Sequence, residues 1–194
     1  VAVGVVPQKG KTEIDAAEKF VAPGWIDSMD QSGDVLRRQG LAANKLLMGV
    51  TTVIAGEGGT PVPAAEISDY FASLEKQGIG VNFATYYSAT QARVEVIGDS
   101  ARAPSADELT DMKTRIDTAM RAGALGISTA LIYPPGAYQS TEELIELAKA
   151  AAPYGAIYAT HMRDEGVRLG DAISEAIEIG EKGGVKVEIF HLKA

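Results

Sequence analysis

Residues 156–191 read AIYATHMRDEGVRLGDAISEAIEIGEKGGVKVEIFH, and this stretch decides the fold. It opens and closes on short apolar runs, 156–160 and 185–190, each carrying β-branched and aromatic residues and each followed at once by a histidine. Near-continuous apolar runs of this kind are how strands buried on both faces of a parallel sheet read. Between them Leu169, Ile173 and Ile177 recur at helical spacing after Asp164, and Gly180, Gly183 and Gly184 punctuate the end. The stretch is therefore one strand–helix–strand unit, with His161 and His191 in equivalent places 30 residues apart.

The same alternation extends back to residue 21. Four further β-rich runs fall at 21–27, 50–55, 81–87 and 124–129. Helices are expected between them at about 34–48 and 64–77. Ser105 with Glu108, and Ser140 with Glu143, have capping-box spacing. The first box precedes an apolar stripe of Leu109, Met112, Ile116 and Met120, the second one of Leu144, Leu147 and Ala151. Strand-to-strand distances of roughly 25–40 residues suit βα units. Such alternation predicts an α/β fold with a parallel sheet. Gly56-Glu57-Gly58-Gly59 offers glycines, but Pro61 and Pro63 follow before a helix can start, so no dinucleotide fingerprint forms, and no P-loop is present. The arrangement favours a (β/α)8 barrel over an open doubly wound sheet. Six strands are too few to close one, so the remaining strands are expected beyond Ala194.

Composition narrows the chemistry. The 194 residues are 46% hydrophobic and 23% charged, which suits a chain with a packed core and excludes disorder and collagen-like repeats. With 18 Lys+Arg against 26 Asp+Glu the net charge is -8, a field that repels phosphate backbones and argues against a nucleic-acid partner. No apolar run approaches the roughly 18–20 residues of a membrane span, so no membrane partner is expected. The absence of cysteine removes disulfides and thiolate metal sites and is compatible with a cytoplasmic or an exported protein, the cytoplasm being favoured. The start at Val1 and the stop at HLKA, directly after a strand, lead to the expectation of a piece of a longer chain.

In a (β/α)8 barrel the chemistry lies at the C-terminal ends of the strands. Those positions hold Asp27, Ser28, Met29, Asp30 and Gln31 after the first run, Glu57 after the second and Ser88 after the third. Ser128, Thr129 and Tyr133 follow the fourth, and His161 and His191 the fifth and sixth. Adjacent parallel strands lie about 4.8 Å apart, so two such imidazoles can converge on one ion. With Glu57 from across the mouth they make two histidines and a carboxylate, a catalytic zinc set with an open position. Each histidine read alone is equally a hydrogen-bonded strand-end residue, and Glu57 a carboxylate in a solvated glycine turn. Ser128 and Tyr133 are candidate substrate contacts. Arg163 and Lys193, close behind the two histidines, are candidates to hold a substrate carboxylate, although Arg163 is also placed to pair with Asp164 or Glu165. Arg93 is a further cationic candidate.

Several of these motifs resemble the amidohydrolase superfamily. Val21-Ala22-Pro23-Gly24-Trp25-Ile26-Asp27 looks like its entry into the first barrel strand. The run 123–136, GALGISTALIYPPG, together with Tyr158-Ala159-Thr160-His161-Met162-Arg163 and His191-Leu192-Lys193, resembles the D-aminoacylase (N-acyl-D-amino-acid deacylase) branch, in the same order along the chain. The resemblance implies six βα units of a metal-dependent TIM barrel over 21–194, preceded at 1–20 by a remnant of a small β-sandwich in which 12–14 is strand-like. It implies that His161 and His191 are the fifth- and sixth-strand metal ligands. Glu57 falls where D-aminoacylases place a second-strand cysteine, so an oxygen replaces soft sulfur while the ligand stays anionic.

Where that family carries His-x-His at the end of its first strand, this chain has Met29-Asp30-Gln31, and the third-strand histidine is missing around Ser88-Ala89-Thr90. One divalent metal, zinc, is therefore expected rather than two. The general-base aspartate of the eighth strand is expected outside these residues. The reading is a hydrolase for a linear amide, an N-acyl-D-amino acid or a dipeptide containing a D-residue, acting through metal-activated water on a small-molecule substrate. The alternatives are a cyclic-amide hydrolase of the dihydroorotase or hydantoinase type, or a degenerate barrel that binds a small ligand without turnover.

Overall fold

The computed structural model describes residues 4–192. In chain order its elements are β1 (Trp25–Asp30), α1 (Gly33–Leu36), α2 (Ala43–Leu47), β2 (Val50–Ala55), α3 (Ile67–Gln77), β3 (Asn82–Thr85) and β4 (Tyr87–Ser88). There follow α4 (Ala89–Ile97), α5 (Ala106–Arg121), β5 (Gly126–Ala130), α6 (Thr141–Ala151), β6 (Ile157–His161), α7 (Leu169–Gly183) and β7 (Lys186–Phe190). Every strand pair is parallel, in the orders β1-β2-β3 and β4-β5-β6-β7. The third expected strand is broken at Tyr86 into β3 and β4. The ladder continues across the break, because Tyr86 N–H donates to Ala55 O at 2.8 Å and Leu125 N–H to Thr85 O at 2.9 Å. Six barrel strands thus run side by side in sequence order, a partial (β/α) barrel as expected.

The helices cover the outer face. Met112, Ile116 and Met120 of α5 and Leu144, Leu147 and Ala151 of α6 are buried, and both serines that open these helices accept the expected capping bond. The capping box at Ser105 and Glu108 is complete. The stripe assigned to α7 is not its buried face. Ile177 is exposed, and the helix instead buries Ala172, Ala176, Ile179, Gly180 and Gly183. Small residues win because the helix lies close: a Cβ on Gly180 would stand 2.2 Å from Val187 Cγ2, and one on Gly183 2.5 Å from Ala148 Cβ.

Other departures have local causes. The helix expected at about 34–48 is two short ones, interrupted around Gly40, whose missing side chain leaves room for the Gln77 amide. β1 starts at Trp25 rather than at residue 21, since Pro23 offers no N–H to a ladder and Trp25 N–H is the first to bond β2's approach, at Gly49 O. Residues 4–24 contain no strand; the strand-like 12–14 meets no partner ladder among the described residues, and Ile14 and Phe20 are exposed. Helix α4 was not anticipated. Its Arg93 is wholly buried, 2.6 Å from Glu143, and donates to the Ser100 and Arg102 carbonyls, so this cation is a structural tie and not a substrate contact.

The end of β1 is fixed by charge. Lys45 Nζ lies 2.6 Å from buried Asp30 and 2.7 Å from Asp27, and Ser32 donates to Asp30 through both its N–H and its hydroxyl. Burial works to raise the Asp30 pKa, but the Lys45 and Ser32 hydrogen bonds outweigh it and hold the carboxyl below its ordinary 3.8. Burial likewise opposes the Lys45 charge, and its bonds to Asp27 and Asp30 prevail, raising it above 10.5. Replacing Lys45→Met leaves Asp30 buried without its cation and is expected to cost about 1–3 kcal/mol at neutral pH. A depressed carboxylate contributes stability above its unfolded pKa, so the deficit should fade as pH falls below 3.8. Because the Lys45 pKa is raised, the deficit should also fade above 10.5. Denaturant unfolding of both forms across pH measures this; a deficit unchanged in acid contradicts it.

Candidate metal centre

Glu57 follows a position that only glycine permits. Gly56 has φ +97°, and a Cβ there would stand 2.3 Å from Tyr86 O. Ser128 Oγ donates to the Gly56 carbonyl from below. The turn folds the carboxylate inward, where it is 9% exposed, so the solvated-turn alternative does not hold.

The two histidines arrive from the opposite side of the mouth. His161 is the last residue of β6, in register with Ala130 of β5 and Phe190 of β7. His191 follows β7 directly with φ 54°, a left-handed conformation that costs a non-glycine residue about 1–2 kcal/mol and recurs at functional sites. The ring centroids are 4.5 Å apart. Glu57 Oε1 lies 3.2 Å from His161 Nδ1 and 3.3 Å from His191 Nε2. One ligand atom from each of the three residues falls within 4.8 Å of the others.

These distances fit a metal. Donors about 2.0–2.1 Å from a tetrahedral zinc are about 3.3 Å apart, the separation Glu57 Oε1 keeps from both imidazole nitrogens. Two neutral imidazoles and one carboxylate are also the donor chemistry zinc takes. The other nitrogen of His161, Nε2, lies 3.0 Å from Glu165, and a ligand histidine commonly gives its second N–H to such a carboxylate. Gln31 Nε2 donates to the second oxygen of Glu57 at 2.5 Å.

The expected substrate contacts divide. The Tyr133 ring packs edge-on to His161, centroids 5.3 Å apart, and the side chain is more than half exposed at the mouth. Ser128 is wholly buried beneath the Glu57 turn, which removes it from the substrate side. Arg163 is bound by Glu175 of α7 at 2.8 Å, not by Asp164 or Glu165, and donates further to the Ala137 and Gln139 carbonyls, so its guanidinium joins a loop to a helix. Lys193 lies outside the described residues. The roles of Gln31 and Glu165 were missed. The (i, i+4) spacing of His161 and Glu165 was the available signal for the second; the first showed only as a strand-end position where the resembled family has a histidine.

Six parallel βα strands with two histidines and a carboxylate converging at their C-terminal ends make a segment of a (β/α) barrel that carries a candidate metal site. Comparison with known proteins agrees. D-aminoacylase of Alcaligenes xylosoxydans xylosoxydans is 35% identical over 94% of this chain and 42% of its own length. N-acyl-D-glutamate deacylase of the same organism is 30% identical over 93% and 41%. Among solved structures, a D-aminoacylase superposes with a TM-score of 0.81 at 35% identity, covering 86% of this chain and 40% of that one. The Bordetella bronchiseptica N-acyl-D-glutamate deacylase, complexed with zinc and a phosphonate mimic of the tetrahedral intermediate, gives 0.78 at 30%, covering 85% and 39%. No family model matches the chain. The chain is a homologue of D-aminoacylase and of the N-acyl-D-glutamate and N-acyl-D-aspartate deacylases. It spans about two fifths of the length of these relatives, 42% and 41% of the two named.

If Glu165 fixes the His161 ring, Glu165→Ala should weaken zinc binding by about 10–100-fold, the usual effect of losing such a partner. Chelator competition on the intact protein reads this directly; unchanged affinity contradicts it.

Proposed function

We propose that the whole protein is an amidohydrolase that cleaves a linear amide, an N-acyl-D-amino acid or a dipeptide containing a D-residue, using one divalent metal, zinc, held by Glu57, His161 and His191. The observation that carries the reading is the convergence of these three side chains, with Glu57 Oε1 3.2 and 3.3 Å from the two imidazole nitrogens and all three ligand atoms within 4.8 Å of one another. The zinc-bound structure of the related deacylase supports the choice of metal.

A zinc ion in this place would supply Lewis-acid polarisation of the amide carbonyl and would lower the pKa of a water. The chain's own residues do the positioning. Glu57 would offer one anionic oxygen and the histidines two nitrogens to such an ion. Tyr133 walls the mouth beside His161 and is proposed to contact the substrate. Lys193 is proposed to meet a substrate carboxylate. The proton is proposed to pass through an aspartate of a later barrel strand, contributed by the rest of the protein.

Elemental analysis of the intact protein should find about one zinc per chain, lost in a His161→Ala, His191→Ala double variant. Turnover of N-acyl-D-amino acids should fall by roughly 10³-fold with it, the rate equivalent of several kcal/mol of lost charge stabilisation. Protein that takes up no zinc when supplied with it, or a double variant that keeps metal and activity, sinks the proposal.

A further inference from the structure

We propose that Gln31 is the positioning residue that makes this centre mononuclear: its side-chain amide engages the second oxygen of Glu57, holding that carboxylate as a one-oxygen ligand and standing where a second cation would need a lone pair. The inference rests on the metal reading above and deepens it.

A carboxylate has two oxygens, and one that binds two cations uses both. Here the two have different partners. Oε1 faces both imidazoles, at 3.2 and 3.3 Å, and Oε2 takes the Gln31 amide at 2.5 Å. The orientation of that amide follows from the contact itself, since turning it over would set its carbonyl oxygen against a carboxylate oxygen. Gln31 therefore presents an N–H donor, and a donor cannot ligate a cation.

The neighbouring acids give no substitute. Asp30 points away from Glu57 into a buried contact with Lys45 and Ser32, and Asp27 shares the same ammonium. The Lys45 tie thus does two things at once. It pairs with both carboxylates at the end of β1, and it ties down the strand end from which Gln31 reaches Glu57. On the far side, Glu165 is engaged by His161 Nε2. Among the described residues around Glu57, the oxygen with an N–H donor already on it is the one that a second ion would have to take.

Two substitutions at this exposed position test the inference on the intact protein with zinc alone as the probe. Gln31→Leu removes the donor. Zinc affinity by chelator competition should fall by about 10–100-fold. The unfolding midpoint of the metal-free protein should fall only slightly, because Glu57 keeps both imidazoles as partners. Gln31→Glu replaces the donor with a carboxylate facing Oε2, and zinc per chain at saturation should rise from one toward two. Wild-type affinity in Gln31→Leu overturns the positioning role, and a single equivalent in Gln31→Glu overturns the exclusion of a second ion. Wild-type protein that binds no zinc overturns the metal reading itself. Wild-type protein that binds two overturns the one-metal assignment and the role of Gln31 together, so the failures are distinguishable.

Discussion

A nearly buried carboxylate must be given a partner, and the Glu57 side chain is the point around which the upper end of this structure is arranged. An unpaired charge at such a site is costly. Its partners come from three distant parts of the chain: Gln31 after β1, His161 at the end of β6 and His191 after β7. Bringing them together requires the sheet to curve so that β1 and β2 face β6 and β7 across the barrel mouth. The break at Tyr86 lies midway along that curve, where Gly56 packs against the Tyr86 carbonyl and Ser128 holds the Gly56 carbonyl from β5. The same contacts that bend the sheet aim the carboxylate.

The helical layer sets the histidines. Small residues on α7 let it close onto β7 and α6, with no space for a Cβ at Gly180 or Gly183. That close packing keeps β7 in register with β6, Phe190 opposite His161, so His191 lies one step further along and turns back through a left-handed residue to face the same oxygen. Substitution of Gly180 or Gly183 therefore bears on the metal centre through strand register, although neither residue is near it.

The fold was legible because its signals are local and repeated: buried-strand runs, two serine N-caps at capping-box spacing and spacing typical of βα units. His161, His191 and Glu57 were legible because strand ends are predictable positions in such a fold. What failed depended on distances the sequence does not carry. The apolar stripe Leu169–Ile173–Ile177 yielded to a small-residue face once the close approach of α7 mattered. Arg93 and Arg163 read as available cations and are instead committed to Glu143 and Glu175. Ser128 read as a mouth hydroxyl and supports a turn. Gln31 was visible only as a departure from the family's histidine, because an amide donor acquires meaning only from the acceptor it meets.

Zinc K-edge X-ray absorption on the intact, zinc-loaded protein distinguishes a one-zinc site from the alternatives. One zinc held by Glu57, His161 and His191 should give a first shell of nitrogen and oxygen alone at about 2.0–2.1 Å, with outer-shell scattering from two imidazoles. A zinc–zinc distance of about 3.5–4 Å, the mark of a two-metal site, would contradict it, as would a sulfur shell near about 2.3 Å.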